Sequence, residues 1–165
     1  SGVARYGGWI TDERRPIYLV ADGPEALREA RLSLARIGRD RVAGALAGGF
    51  AAWRDAGLPV ASLGTLAPRA LAEAAGQVQV LDVRELGEYR AGHIPGAKHL
   101  HVGFLEDRLA SLDLAKDRPV VATCSVGHRG GLAASILARR GYRSAANLLG
   151  GMTAWRRLGL PVEES

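Results

Sequence analysis

At 165 residues the chain is long enough for one medium domain or two small ones. Its composition, 47% hydrophobic and 24% charged, is that of an ordinary soluble globular protein. The net charge of +5 is spread evenly, without a basic stripe, and no apolar run approaches the length of a membrane span. We therefore expect neither a nucleic-acid partner nor a membrane partner. With no signal-peptide pattern in these residues, we expect a cytoplasmic location.

Residues 1–62 predict alternating strands and helices. An apolar run over 17–21 is bounded by proline and by small or polar residues, as in a buried parallel strand. A helix with apolar spacing follows, then a strand over 42–47 and a helix that starts at Gly48-Gly49 and contains Trp53.

Residues 63–165 predict a longer series of the same kind, after a linker over 61–66. The predicted helices are 67–75, 85–91, 104–112, one that starts near Gly130, and a closing helix that contains Trp155. The predicted strands are 78–82, 97–100, 119–123 and 144–149. Such alternation indicates an α/β fold, in which a parallel sheet is flanked by helices.

The two segments contain an internal repeat. Residues 15–20 recur at 118–123 with an offset of 103, and residues 48–54 recur at 150–156 with an offset of 102. The first copy has only fourteen residues ahead of its repeated part, whereas the second has a full set of elements there. Residues 1–62 are therefore expected to be the back half of a domain that is complete in residues 63–165.

Cysteine usage narrows the chemistry. Cys124 is the one cysteine of the chain, so neither an internal disulfide nor a two-cysteine metal clamp can form. A lone thiol is either an inert buried residue or a nucleophile, and its sequence neighbours indicate which.

The neighbours of Cys124 predict an anion-binding loop. Residues 124–129 read Cys-Ser-Val-Gly-His-Arg and lie between a strand and a helix, at the edge of a parallel sheet where ligands bind. Unpaired N–H groups at the helix start attract anions, and glycines let the backbone curl around one centre. We therefore predict Cys124 as the nucleophile, in a position that favours its thiolate. The expected anion-binding residues are Ser125, Val126, Gly127, His128, Arg129, whose side chain would close the ring, and Gly130.

Three separated motifs resemble the rhodanese family. Cys-x-x-Gly-x-Arg at 124–129 is similar to its active-site loop and is shorter than the loop of related phosphatases and arsenate reductases. The segment Leu-Asp-Val-Arg-Glu at 81–85, followed by Glu-Tyr at 88–89 and Gly-His-Ile-Pro-Gly-Ala at 92–97, resembles its front-half signature. The Gly-Gly to Trp segment at 150–155 resembles its closing helix. The resemblance covers about residues 66–163. One departure is Gly130, where many members carry Thr or Ser, a position that could tune the preferred sulfur donor.

The resemblance implies a sulfurtransferase. Its Cys124 would take a sulfane sulfur from thiosulfate or a thiol persulfide and pass it, as a persulfide, to a thiol, sulfite or cyanide. No metal, nucleotide or organic cofactor is implied. A non-catalytic interaction module of a larger persulfide-metabolising enzyme is the alternative, and a phosphatase-like use of the loop is a weaker one.

The first copy resembles the same fold without its chemistry. Ala21, Pro24 and Ala26 stand where the second copy has Cys124, Gly127 and Arg129. Two such modules, the first inactive, resemble the C-terminal part of proteins with an upstream metallo-β-lactamase-fold persulfide dioxygenase. We expect an upstream domain or another polypeptide to complete residues 1–62.

Other polar residues admit two interpretations. Arg84 lies at the same sheet edge as Cys124 and could hold an anionic donor, or it could pair with Asp82. His93 is expected to be a structural hydrogen-bonding residue. With His99 and His101 it suggests a metal, but no cysteine or carboxylate completes a ligand set, so we predict no metal site.

Overall fold

A computed structural model describes residues 2–165. The chain divides into two compact units, with the boundary between Ala61 and Ser62, one residue before the boundary used above. Within the described residues, none of the helices is both long enough and apolar enough to cross a membrane.

The first unit contains a sheet of two parallel strands and three helices. The strands are β1 (Ile17–Leu19) and β2 (Val42–Ala45); the helices are α1 (Gly2–Ile10), α2 (Pro24–Ala35) and α3 (Gly49–Asp55). Helix α1 was not predicted, because its glycines lower its helix propensity. It contacts α2 through Gly7, where a Cβ atom would lie only 2.7 Å from Cδ2 of Leu34.

The second unit is built on a five-stranded parallel sheet. Its strands are β3 (Gly64–Leu66), β4 (Gln79–Asp82), β5 (Lys98–His99), β6 (Val120–Thr123) and β7 (Ala145–Leu148), in the order β3-β7-β6-β4-β5. Its α-helices are α4 (Pro68–Glu73), α5 (Leu86–Arg90), α6 (Leu105–Arg108), α7 (His128–Arg139) and α8 (Gly151–Arg157). Every residue of the central strand β6 is buried, which explains its continuous apolar run. The α/β prediction is confirmed.

Two predicted elements were wrong. Residues 61–66 are not only a linker, because Gly64–Leu66 forms the edge strand β3 beside β7. Gly64 allows this approach, since a Cβ there would lie only 3.4 Å from Cβ of Ala146. The single helix predicted over 104–112 is instead a 3₁₀ turn, the short helix α6 and a second 3₁₀ turn. The tight 3₁₀ turn at Val102–Phe104 stacks positions i and i+3, so Val102 and Leu105 both point into the core.

The strands of the two copies pair in the same register at their carboxyl ends, after a bulge between Ile17 and Tyr18 of the first copy. Leu19 lies opposite Ala45 in the first unit, and Ala122 lies opposite Asn147 in the second, as the repeat offsets require. The closing helices also match, because indole Nε1 of Trp53 donates to O of Pro59 (2.9 Å) and that of Trp155 donates to O of Pro161 (2.8 Å). Trp155 is buried in the core, whereas Trp53 is 37% exposed.

Helix α8 contacts the segment that follows β6 through a glycine that has no space for a side chain. A Cβ atom at Gly151 would overlap the carbonyl oxygen of Cys124, and the backbone there is left-handed at φ +55°.

Gly151→Ala should therefore destabilise the second unit strongly. Gly159→Ala is the matched control, because Gly159 is also left-handed (φ +66°) but has open space around it. We expect Gly159→Ala to lower the free energy of unfolding by about 1 kcal/mol and Gly151→Ala by about 2 kcal/mol more, measured by urea denaturation. Equal losses in the two variants would contradict the close contact between α8 and Cys124.

Candidate active site

Cys124 lies directly after the carboxyl end of β6, the central strand of the sheet. It is buried, with 1% of its surface exposed. Its Sγ accepts a hydrogen bond from the backbone N–H of Gly127 at 3.1 Å. The loop therefore folds back so that its own backbone contacts the sulfur.

Helix α7 begins earlier than predicted, at His128 instead of near Gly130. Gly127 precedes it in a left-handed conformation (φ +115°) that residues with a side chain rarely adopt. The N–H groups in the first turn of a helix have no acceptor within the helix. Those of His128, Arg129 and Gly130 therefore lie at the positive end of a 12-residue helix, directly after the Gly127 N–H that contacts the sulfur, as an anion site requires.

The first turn of α8 fixes the other side of the loop. The N–H of Met152 donates to the carbonyl oxygen of Cys124 (2.8 Å), and that of Thr153 donates to the carbonyl oxygen of Ser125 (2.9 Å). Because C=O and N–H point in opposite directions across a planar trans peptide, the N–H groups of Ser125 and Val126 point away from α8. Two further backbone donors of the loop thus remain available to an anion.

The side chain of Arg129 binds Glu88 and also interacts with Cys124, so its predicted place in the ring around the sulfur stays a prediction. Its Nη1 donates to Oε2 of Glu88 at 2.8 Å and its Nη2 to Oε1 at 3.0 Å. Ser125 joins this network, since its hydroxyl donates to Glu88 (2.6 Å) and accepts from Arg129 (2.8 Å). The glutamate compensates the charge of the arginine, and the backbone N–H of Gly127 contacts the sulfur directly.

This network shifts two pKa values. The hydrogen bonds from Arg129 are the main cause that lowers the pKa of Glu88 from 4.5 to about 2, with a smaller contribution from Ser125. Glu88 in turn raises the pKa of Arg129, and the neighbouring Cys124 adds to that rise. Glu88 was not predicted as a site residue. The available signal was its position in the first turn of α5, a helix that follows β4 at the same sheet edge as Cys124.

Arg84 pairs with Asp82, as the structural interpretation of this residue predicts. Both side chains are buried, and Nη2 of Arg84 lies 2.6 Å from Oδ2 of Asp82 and 2.9 Å from the carbonyl oxygen of Gly92. These partners engage Nε and Nη2 of the guanidinium, and its predicted role as a ligand for the donor stays a prediction. Arg84 nevertheless lines a cavity of about 310 Å³ that also contacts Glu88 and Ser125.

Among the histidine side chains of the second unit, His93 and His99 bond backbone carbonyl groups, and His128 is exposed. His93 is buried, its Nδ1 lies 3.0 Å from the carbonyl oxygen of Tyr89, and its ring stacks on the Tyr89 ring, as a structural role requires. Nε2 of His99 contacts the carbonyl oxygen of Arg84 at 2.8 Å. Among residues 2–165 no cluster of His, Cys, Asp and Glu could hold a metal ion. The side chains of His128 and Val126 are exposed.

Comparison with known proteins identifies the second unit. The family model of the rhodanese-like domain matches residues 68–158, more than half of the chain. The chain belongs to the rhodanese-like domain family. A rhodanese-related protein of Thermoplasma volcanium has the same fold, with a TM-score of 0.57 and 25% identity over 62% of this chain and 99% of that one.

Two relatives of this rhodanese-like domain have different names. The HTH-type transcriptional regulator Rv0324 of Mycobacterium tuberculosis is 44% identical over 95 residues, which are 54% of this chain and 39% of the regulator. The thiosulfate sulfurtransferase GlpE of Stutzerimonas stutzeri is 38% identical over 77 residues, which are 47% of this chain and 69% of that protein. The chain thus spans less than half of the first relative and about two thirds of the second.

Glu88→Gln should lower stability in a pH-dependent way. Because folding lowers the pKa of Glu88 to about 2, its stabilisation is fully present above pH 4.5 and is lost as the pH falls towards 2. The Glu88 side chain is 35% exposed, so after solvent screening we expect a loss of roughly 1–2 kcal/mol at pH 7.

Urea unfolding between pH 2 and pH 7 measures this effect, with Glu73→Gln as an exposed control on the same unit. The gap between wild type and Glu88→Gln should narrow as the pH falls through this range. A gap that stays constant with pH would contradict the ionic pairing of Glu88 with Arg129.

Proposed function

We propose that the rhodanese-like domain is a sulfurtransferase that moves a sulfane sulfur from thiosulfate or a thiol persulfide to a thiophilic acceptor through a persulfide on Cys124. A relative named thiosulfate sulfurtransferase supports the reaction class. The observation that carries the proposal is the contact between Sγ of Cys124 and the N–H of Gly127 at the start of α7.

This geometry suits an anionic sulfur nucleophile and its persulfide. A thiolate needs stabilisation by donors or positive charge, and the first turn of α7 and the turned-out amides of Ser125 and Val126 supply donors. The outer sulfur of a persulfide extends further into the same ring of N–H groups. Cys124 is 1% exposed, so a donor has to enter the loop to reach its sulfur.

The reaction balances without an external oxidant or reductant. The Cys124 thiolate attacks the sulfane sulfur of thiosulfate, an Sγ–S bond forms, and the donor S–S bond breaks with its electron pair leaving on sulfite. An acceptor thiolate, sulfite or cyanide then attacks the outer sulfur, and Sγ leaves as the regenerated thiolate. With a thiol persulfide as donor, the leaving group is the thiolate.

We also propose that residues 1–62 are a truncated, inactive rhodanese-like module. The shared strand register and the shared Trp–Pro hydrogen bond support this. Ala21 follows β1 where Cys124 follows β6, so the module has no nucleophile. The completion of residues 1–62 by another segment or polypeptide stays a prediction.

A second candidate function is a binding module without turnover. It is favoured by the relative of 44% identity that is named a transcriptional regulator. In that case the loop would bind an anion or a persulfide and report it to an attached partner, without releasing the sulfur to an acceptor.

Cys124→Ser should abolish both sulfur loading and sulfur transfer, because a hydroxyl cannot form a persulfide. Intact-mass spectrometry after incubation with thiosulfate should show one added sulfur on the wild type and none on the variant. A separate assay measures the turnover of thiosulfate with cyanide. The control Cys124→Ser/Ser144→Cys carries an exposed thiol outside the loop, and it should show no turnover in that assay. Turnover by Cys124→Ser would contradict the mechanism; loading of the wild type without turnover would favour the binding module.

Steady-state kinetics should be ping-pong. The chain has no second cysteine to resolve the persulfide, so the loaded state should persist until an external acceptor arrives. Double-reciprocal plots at several acceptor concentrations should give parallel lines. Intersecting lines would indicate direct transfer within a ternary complex.

A further inference from the structure

Asn147, the single asparagine of the chain, lies beneath the cysteine loop. It is on β7, opposite Ala122 of β6. Its Nδ2 lies 3.5 Å and 3.7 Å from the points that Cβ atoms of Gly127 and Gly131 would occupy. The carboxamide therefore packs against the backbone of the loop and of the first turn of α7.

Gly130 has no side chain because Asn147 occupies the space. A Cβ atom at position 130 would overlap Oδ1 of Asn147 and would lie 3.1 Å from the carbonyl oxygen of Ala122. A Ser or Thr at this position would thus point under the loop. The departure from the usual family residue concerns the support of the loop, and Gly130 reaches a donor only through its backbone.

Oδ1 of Asn147 is buried and has no hydrogen-bond partner among residues 2–165. An unpartnered buried oxygen lowers stability, and nearly all such atoms in folded proteins are paired. Unfavourable local features of this kind are expected where function requires them. Here the oxygen lies against the turn whose N–H groups face the sulfur.

The inactive copy has lost this arrangement together with the nucleophile. By the repeat offsets, Ala45 stands in place of Asn147 and Leu27 in place of Gly130. At this place the strand register is the same in both copies, with Leu19 opposite Ala45 and Ala122 opposite Asn147. The fold therefore does not require an asparagine at this place.

We propose that Asn147 is a positioning residue for the sulfur transfer: its carboxamide sets the orientation of the backbone N–H groups from Gly127 to Gly130, which hold the sulfur on Cys124. The inference rests on the function proposed above. Asn147 does not contact the donor in this scheme, and it acts through the loop that it supports.

Asn147→Leu tests this role, because leucine has a similar volume and no polar atoms. The variant should melt at the wild-type temperature or above it, since an unpartnered oxygen is removed. Its kcat for thiosulfate-dependent sulfur transfer should nevertheless fall by about ten- to a hundred-fold, with a smaller change in KM, because misplaced donors lose their alignment.

Gln79→Leu is the matched control. Gln79 also carries an amide side chain on a strand, but it is the first residue of β4 and so lies at the amino ends of the strands, away from the cysteine loop. Both its amide atoms bond the backbone of Ala115, at 2.9 Å and 2.8 Å. Gln79→Leu should lower the melting temperature and leave sulfur transfer unchanged. Asn147→Leu should therefore lose activity without losing stability, whereas Gln79→Leu should lose stability without losing activity.

The alkylation rate of Cys124 by iodoacetamide at pH 7 provides a readout that does not need sulfurtransferase activity. Asn147→Leu should slow alkylation, because misoriented N–H groups stabilise the thiolate less. If the wild type transfers no sulfur, the proposed function fails, while alkylation still tests Asn147. If Asn147→Leu is alkylated as fast as the wild type, the positioning role is overturned. If the wild type is active, an equal rate of sulfur transfer in Asn147→Leu would overturn it as well.

Two further variants keep the test decisive if Asn147→Leu folds poorly. Asn147→Asp preserves the shape and places a negative charge under the N–H groups, so it should slow alkylation more than any other change at this position; an unchanged rate would overturn the proposal. Gly130→Ser should lower the melting temperature, and Gly130→Ser/Asn147→Ala should restore it. Failure of the double variant to restore it would contradict the steric pairing of the two residues.

Discussion

Two hydrogen bonds from the start of α8 to the carbonyl oxygens of Cys124 and Ser125 determine what the loop can do. They hold one face of each peptide group against the helix, so the opposite face presents N–H groups to the sulfur. Gly151 makes this contact possible, because any side chain there would collide with the Cys124 carbonyl. The closing helix thus shapes the site through its backbone.

A second constraint ties the front of the domain to the loop. Glu88 on α5 holds Arg129 and Ser125, which are 41 and 37 residues away in the sequence. Because β4 and β6 are neighbours in the sheet, the segments that follow them meet at one edge. The front half of the domain therefore supports the cysteine loop as well as completing the sheet.

Sequence reasoning was sufficient where the signal was local. The buried strand before Cys124 and the glycines of its loop indicated a helix directly behind the loop, and its start was predicted to within two residues. It was insufficient where a contact joins distant segments: the pairing of Arg129 with Glu88 and the packing of Asn147 under Gly130 depend on strand order. Edge strand β3 was missed because three residues are too few for a periodic pattern. Helix α1 was missed because its glycines have a low helix propensity, and its contact with Leu34 is not visible in the sequence.

The pairing of Arg129 with Glu88 has a consequence for ion selectivity. A compensated ion pair has little long-range field, and backbone dipoles act only over a short distance, so anions gain little from extra charge until they enter the loop. Sulfur transfer at such a site should respond weakly to ionic strength. Phosphate is a tetrahedral anion like thiosulfate, so shape alone would not exclude it. What phosphate lacks is a sulfane sulfur that the Cys124 thiolate can attack.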